Sequence, residues 1–278
     1  TGYFNLPKIL EVTLNNGLDP RSGKKIGLQT GDPLTFDTYD ALYEAYEKQL
    51  NYFIDIKIKG NLVIEKLWAE MLPAPFLSLF IDDCIENGRD YNSGGARYNS
   101  SYIQGVGTGS LTDSLSALKH QVFEWQTASM EDLLGALRNN FSGSEQLQEK
   151  LWKETPRYGN DDNRADMEMR RMFNSFFNAV DGRPNAKGGR FRINMLPTTC
   201  HVYFGSVTGA MPDGRKEGRP LSEGISPVQG TDVKGPTAVL RSAAKMDHIR
   251  TGGTLLNQKF TPQLLEKEED LDKLVSLV

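Results

Sequence analysis

The sequence predicts an α/β protein, in which a few short strands are separated by long helical crossovers. Two observations carry that reading. Apolar residues recur at helical spacing over most of the chain. The clearest stretch starts at Asp37, where Tyr39, Leu42, Tyr43, Tyr46, Leu50, Phe53 and Ile54 form one stripe. Strand-type alternation is rare by contrast. In GGRFRINML, residues 188–196, Phe191, Ile193 and Met195 alternate with Arg190, Arg192 and Asn194. Weaker strand signals lie at 96–103 and 254–260, and an all-β architecture is excluded.

Taken in order, Asn5 is placed to cap a first helix, with Pro7 in its first turn and Gly17 just past its end. Residues 19–33 are turn-rich and are expected to wrap over the surface. The long amphipathic helix follows, with 63–71 as its continuation or a close successor. Its aromatic stripe reads as core packing rather than a stacking surface for a ligand. A short helix is expected at 76–85, and another at 111–127, opened by Ser110 or Thr112. Further helices are expected at 130–140, capped by Ser129, and at about 163–179. CHVYFG, residues 200–205, is read as extending the main strand past a bend at Pro197. The stretch 205–237 is too long for a simple loop and too varied for a linker, so it is taken as ordered and packed. At the far end Leu271, Leu274, Val275 and Val278 stand at helical spacing with no cap behind them. Together with an opening threonine, this suggests an internal piece of a larger enzyme, interrupted at both ends.

A formal charge of −4 over 278 residues excludes a strongly basic nucleic-acid surface. No apolar run approaches the roughly 20 residues a membrane helix needs. The two cysteines, Cys84 and Cys200, do not make a disulfide framework, and a reducing cytoplasm is the simplest setting. His120, His201 and His248 share no metal-ligand spacing, so no metal site is expected.

Four constellations invite a chemical reading, and each has a plainer one. GVGTGS, residues 105–110, is either a phosphate cradle or a close-packed turn, and the turn is favoured because neither glycine fingerprint is matched. Asp82/Asp83 and Asp161/Asp162 are adjacent pairs that cannot share a helix face, and are read as solvated. Cys200 and His201 would point to opposite faces of a strand, so a buried structural cysteine is favoured over a nucleophile. MPDGRKEGRP, residues 211–220, is either an anion site or a structurally paired loop, and the latter is favoured.

Residue chemistry alone reaches no reaction. The run from Phe204 to Pro262, however, contains TGAMPDGRKEGRP, DVKGPTA, KMDH and GTLLNQKF, and here the chain resembles the glycyl radical enzymes related to pyruvate formate-lyase. PRYGNDD (156–162), GGRF (188–191), LPAPFLS (72–78) and DDCIENG (82–88) support the likeness, which covers essentially the whole chain. The resemblance implies a barrel of ten strands in two antiparallel five-stranded halves, surrounded by helices, of which residues 1–278 would be a single incomplete part. It implies a thiyl cysteine and a glutamate in a loop before Thr1, and a radical glycine some tens of residues beyond Val278. No catalytic residue is therefore expected within the chain.

TGYFNLPK and GARYNSSYIQGVGTGSLTDSL look like the branch of the family that dehydrates trans-4-hydroxy-L-proline. Alternatives are a glycerol or diol dehydratase, another glycyl radical lyase or a pyruvate formate-lyase-like acyltransferase. From another class, the alternative is a non-catalytic scaffold segment. By resemblance, Tyr3 and Thr198 are the substrate-binding candidates in this chain. The resemblance further implies no bound cofactor, a radical installed by a separate S-adenosylmethionine and iron–sulfur activating enzyme, and a small-molecule substrate. A homodimer in an anaerobic cytoplasm is the expected assembly, with neither nucleic acid nor membrane as a partner.

Overall fold

The structure is a computed structural model and describes residues 2–277. Strand β1 (Gly2–Asn5) runs straight into helix α1 (Leu6–Leu14). The turn is set by Asn5, whose side chain accepts from the Lys8 N–H, and Pro7 sits where its missing N–H costs nothing. Gly17, at φ +88°, then brings the chain back against the Leu28 backbone. The turn-rich stretch holds only a small hairpin, β2 (Leu18–Asp19) with β3 (Lys24–Lys25).

The stripe expected from Asp37 is one unbroken helix, α2 (Tyr39–Met71), of 33 residues, capped by the Thr38 hydroxyl on the Ala41 N–H. Leu42, Tyr43, Tyr46, Leu50 and Ile54 are fully buried, so the aromatic stripe is core. The helix expected at 76–85 shrinks to one turn, α3 (Pro75–Ser78), followed by turns. Strand β4 (Ser101–Val106) leads into α4 (Thr108–Ala117), which continues as a π-helical segment over Leu118–Glu124. This helix opens earlier than the sequence suggests. Its cap is Gly107 in a left-handed conformation rather than a serine or threonine side chain.

Helices α5 (Met130–Arg138), α6 (Glu145–Glu154) and α7 (Asn163–Val180) follow, and then β5 (Phe191–Asn194). CHVYFG is not a strand but helix α8 (Cys200–Ser206). Pro197 ends the extended run, and the chain turns helical at once. The stretch after it is ordered and packed up to α9 (Pro236–Ala243), and α10 (Glu268–Leu277) closes the described chain. Thr1, and Val278 from the terminal helical stripe, lie outside the described residues.

The sheet has the order β1-β4-β5 and is parallel throughout. A further parallel bridge, Met195 with Thr254, adds a fourth extended segment beside β5. Each crossover between strands carries helices, as parallel pairing demands. One face of the sheet is packed by helices. Phe4, Ile103, Phe191, Ile193 and Met195 join Leu6, Leu10, Leu111, Leu115, Phe173 and Phe176 in a single core. Phe4 stacks on Phe176 with ring centroids 6.1 Å apart.

A polar row on the open face of the sheet

Alternation along each strand sends every second side chain to the face away from that core. On this face β1 carries Tyr3 and Asn5, β4 carries Tyr102, Gln104 and Val106, and β5 carries Arg192 and Asn194. The register lines up Tyr3 with Gln104 and Gln104 with Asn194, so these three form one row across the sheet. Tyr3 is 40% exposed, whereas Phe4, its neighbour on the other face, is buried. A parallel sheet is normally covered on both faces. Here one face is sealed by apolar packing, and the other carries the half-exposed Tyr3 phenol and two amides, of which Gln104 is buried and Asn194 partly so.

The two sequence-predicted site residues fall differently on this surface. Tyr3 lies in the row itself. Thr198 is exposed and lies just past the carboxyl end of β5, where ligands of parallel sheets gather. Its carbonyl accepts from His201 Nδ1 at 2.8 Å, which fixes the entry to α8. Asn5, next along β1, is already committed, capping α1 and donating to Thr208 Oγ1 at 3.0 Å. Gln104 went unrecognised in the sequence because the strand signal faded at Ile103, one residue short of it.

The other candidates resolve into structure. Gly107 is at φ +83°, and a Cβ there would stand 2.7 Å from Pro7 Cγ; one on Gly109 would stand 2.7 Å from the Ser226 carbonyl. Space beside GVGTGS is filled by protein, so it is the close-packed turn. Ser110 and Ser222 lock it further, each backbone N–H donating to the other's hydroxyl at 3.0 and 2.9 Å. Asp83 takes two bonds from Arg97, Asp161 pairs with Lys245 at 2.9 Å, and Asp162 caps α7. Cys200 is only half-buried and lies on a helix, so the expectation of a buried strand cysteine is corrected. The cause is the same misread strand.

The loop 211–220 is structurally paired, through a buried charge cluster that sequence reasoning missed. Arg157 donates to Asp113 Oδ2 at 3.1 Å and to the Asp213 carbonyl at 2.6 Å. Asp113 also accepts from the Tyr158 N–H at 2.9 Å. Arg215, itself buried, donates to the carbonyls of Gly205 and Gly209, each at 2.7 Å. Burial pushes the Asp113 carboxyl up to about 6, against the pull of Arg157, and raises Asp213 as well. The same burial lowers the Arg215 guanidinium. These groups tie α4, the segment before α7 and the loop after α8 into one block. No local pattern marks them, since the partners lie far apart in sequence.

A separate cleft, lined by Glu11, Arg21, Leu134, Arg138 and Met211, opens between α1, α5 and the loop after α8. Its Glu11 carboxylate is engaged by Lys8 at 2.5 Å and by the Gly209 N–H. The polar row, not this cleft, has the features of a ligand surface. Among the described residues no three of His, Cys, Asp and Glu cluster closely enough to hold a metal ion, and no helix is long and apolar enough to cross a membrane.

Comparison with known proteins places the fold. Residues 1–205 match the family model described as pyruvate formate lyase-like, and residues 221–278 match the glycine radical model. The chain is 56% identical over 278 residues to a trans-4-hydroxy-L-proline dehydratase of Clostridioides difficile, covering all of this chain and 35% of the relative. A crystal structure of hydroxyproline dehydratase from that organism, with trans-4-hydroxy-L-proline bound, superposes with a TM-score of 0.97 at 56% identity, over 100% of this chain and 35% of the other. The glycerol-bound, B12-independent glycerol dehydratase of Clostridium butyricum superposes with a TM-score of 0.94 at 40% identity, over 99% and 35%. A (2S)-3-sulfopropanediol dehydratase of Klebsiella oxytoca is 33% identical over 282 residues, 99% of this chain and 34% of the relative. The chain thus spans about a third of the length of the relatives it matches. It belongs to the pyruvate formate lyase-like family of glycyl radical enzymes.

Proposed function

We propose that the chain is part of a dehydratase that removes water from trans-4-hydroxy-L-proline to give 1-pyrroline-5-carboxylate. One observation carries the reading. Identity to the hydroxyproline dehydratase is 56% over the whole chain, against 40% to the glycerol dehydratase, although both superpose closely. The fold is common to several substrates, so the side chains have to make the choice. A polar row with a half-exposed phenol suits a small, hydrogen-bonding substrate.

In this reading the parallel sheet is one side of a ten-stranded barrel, and its open face looks into the barrel. The thiyl cysteine, the radical glycine and a glutamate acid belong to other parts of the enzyme. When assembled they supply hydrogen abstraction beside the ring nitrogen and a proton for the departing hydroxyl. The residues described here bind and orient. The Tyr3 hydroxyl steadies the substrate from β1, and Thr198 holds it from beyond the end of β5. Such positioning matters because a reacting atom displaced by about 1 Å loses on the order of 100-fold in rate. A separate S-adenosylmethionine activating enzyme, a homodimeric assembly and an anaerobic cytoplasm complete the proposal.

The test is turnover by the activated full-length protein under strict anoxia, supplied separately with hydroxyproline and with glycerol. Formation of 1-pyrroline-5-carboxylate from hydroxyproline is the expected result. Dehydration of glycerol alone would overturn the assignment.

A further inference from the structure

The polar row contains two amides whose hydrogen bonding is incomplete. Gln104 is only 7% exposed, and its Oε1 is buried with no donor among the described residues; Asn194 Oδ1 is in the same condition. An acceptor left so costs about 1–3 kcal/mol, so a native protein rarely leaves two side by side without a use for them. They are side by side, because Gln104 and Asn194 are register partners on β4 and β5. Gly253, whose carbonyl accepts from the Met195 N–H at 2.9 Å, runs beside β5, and a Cβ on it would overlap Leu196 Cδ2 while making only ordinary contact with Asn194 Oδ1.

The strand register sets a scale that a donor with two hydrogens on one nitrogen can bridge. Adjacent strands lie about 4.8 Å apart. A nitrogen with two hydrogens, bonding two acceptors at ordinary lengths and a tetrahedral angle, holds them roughly 4.6 Å apart. A secondary ammonium has two such hydrogens on one atom, and its positive charge strengthens both bonds. A hydroxyl has one.

We propose that Gln104 and Asn194 accept the two N–H bonds of a cyclic secondary ammonium, and so select a proline-type amino acid over a polyol. The inference rests on the hydroxyproline reading and assigns it two specificity residues beyond Tyr3 and Thr198.

The experiment is calorimetric binding to the full-length protein without activation, so that no turnover is needed. The ligands are trans-4-hydroxy-L-proline, L-proline, glycerol and tetrahydrofuran-2-carboxylate, the last having a ring oxygen in place of the N–H donors. Wild type should bind L-proline at least tenfold tighter than the oxygen analogue. Gln104→Met and Asn194→Leu should each reduce that preference several-fold. Gln104→Glu keeps the shape and accepts only, so it should hold L-proline as tightly as wild type or more so. Loss of binding in Gln104→Glu equal to that in Gln104→Met would overturn the inference, by showing that the amide donates. An unchanged preference in Gln104→Met and Asn194→Leu would overturn it too, leaving these amides to bond another part of the polypeptide. Either failure leaves the hydroxyproline assignment standing. Wild-type binding of glycerol but not of hydroxyproline would remove both.

Discussion

Arg157 bonds the Asp113 carboxylate and the Asp213 backbone carbonyl, both residues being wholly buried, and the three settle much of how this block behaves. Arg157→Ala would leave the buried Asp113 carboxylate without its countercharge, and Asp213 with Arg215 alone. It should cost the full-length protein about 3–5 kcal/mol in denaturant unfolding. Asp113 also sets a pH dependence. Its folded value of about 6 lies above the ordinary 3.8, so the folded chain binds the proton more tightly than the unfolded one. The stability this contributes is fully present below about pH 4 and is lost as pH rises through about 6. Wild type should therefore lose thermal stability relative to Asp113→Asn between pH 4 and 6, and the gap should stay constant above. A gap that closes over that interval would contradict the assignment. At the row itself, Tyr3→Phe should raise the KM for hydroxyproline several-fold with little change in unfolding midpoint, since the hydroxyl meets solvent rather than core. Legibility at this scale followed distance along the chain. The strand that carries Asn194 was visible because Phe191, Ile193 and Met195 alternate along it, although Asn194 itself was not singled out, whereas Gln104 sits beyond the last strand signal. The loop 211–220 was read as structurally paired, but its partners Asp113 and Arg157 lie far along the chain, so no local spacing named them.

Helix starts were read well wherever a side chain makes the cap. Asn5 and Ser129 both accept from the first turn of their helices, and that chemistry is written in adjacent residues. Asn5→Ala removes a cap and the bond to Thr208, and should cost about 1–2 kcal/mol by chemical denaturation. Helix α4 was placed late because its start is conformational. Gly107 adopts a left-handed backbone, and Pro7 lies close against the spot where a side chain would be. Gly107→Ala should destabilise by about 1–3 kcal/mol. Two elements were misjudged for opposite reasons. In α8 the β-branched and aromatic residues Val202, Tyr203 and Phe204 suggest a strand, but the chain has already turned at Pro197. Helix α6 was overlooked because EQLQEKLWKE is dominated by charged and amide side chains, with only Leu147, Leu151 and Trp152 apolar and only Leu151 buried. The sheet–helix seam was the most legible part. Phe176→Ala in that seam should cost about 3–5 kcal/mol, measured the same way.

At the scale of the molecule, the two faces of the sheet divide the labour. The helices seal one face with apolar side chains and give the strands a fixed register. That register in turn sets Tyr3, Gln104 and Asn194 in a line on the other. A second exposed surface has a different character. The later half of α2 and the turns after it present Val63, Trp68, Met71, Phe76 and Phe80 to solvent, an apolar area of the kind that other protein covers. Composition and periodicity reached the α/β class but no reaction, because they report packing rather than chemistry. The family likeness is what motivates the proposed reaction. The measurement that bears most directly on the account is a crystal structure of the full-length protein with trans-4-hydroxy-L-proline. The account predicts the ligand on the open face of the sheet, within hydrogen-bond distance of Tyr3 and Thr198. A ligand seated instead in the cleft beside Glu11 and Arg138, with the row untouched, would contradict it.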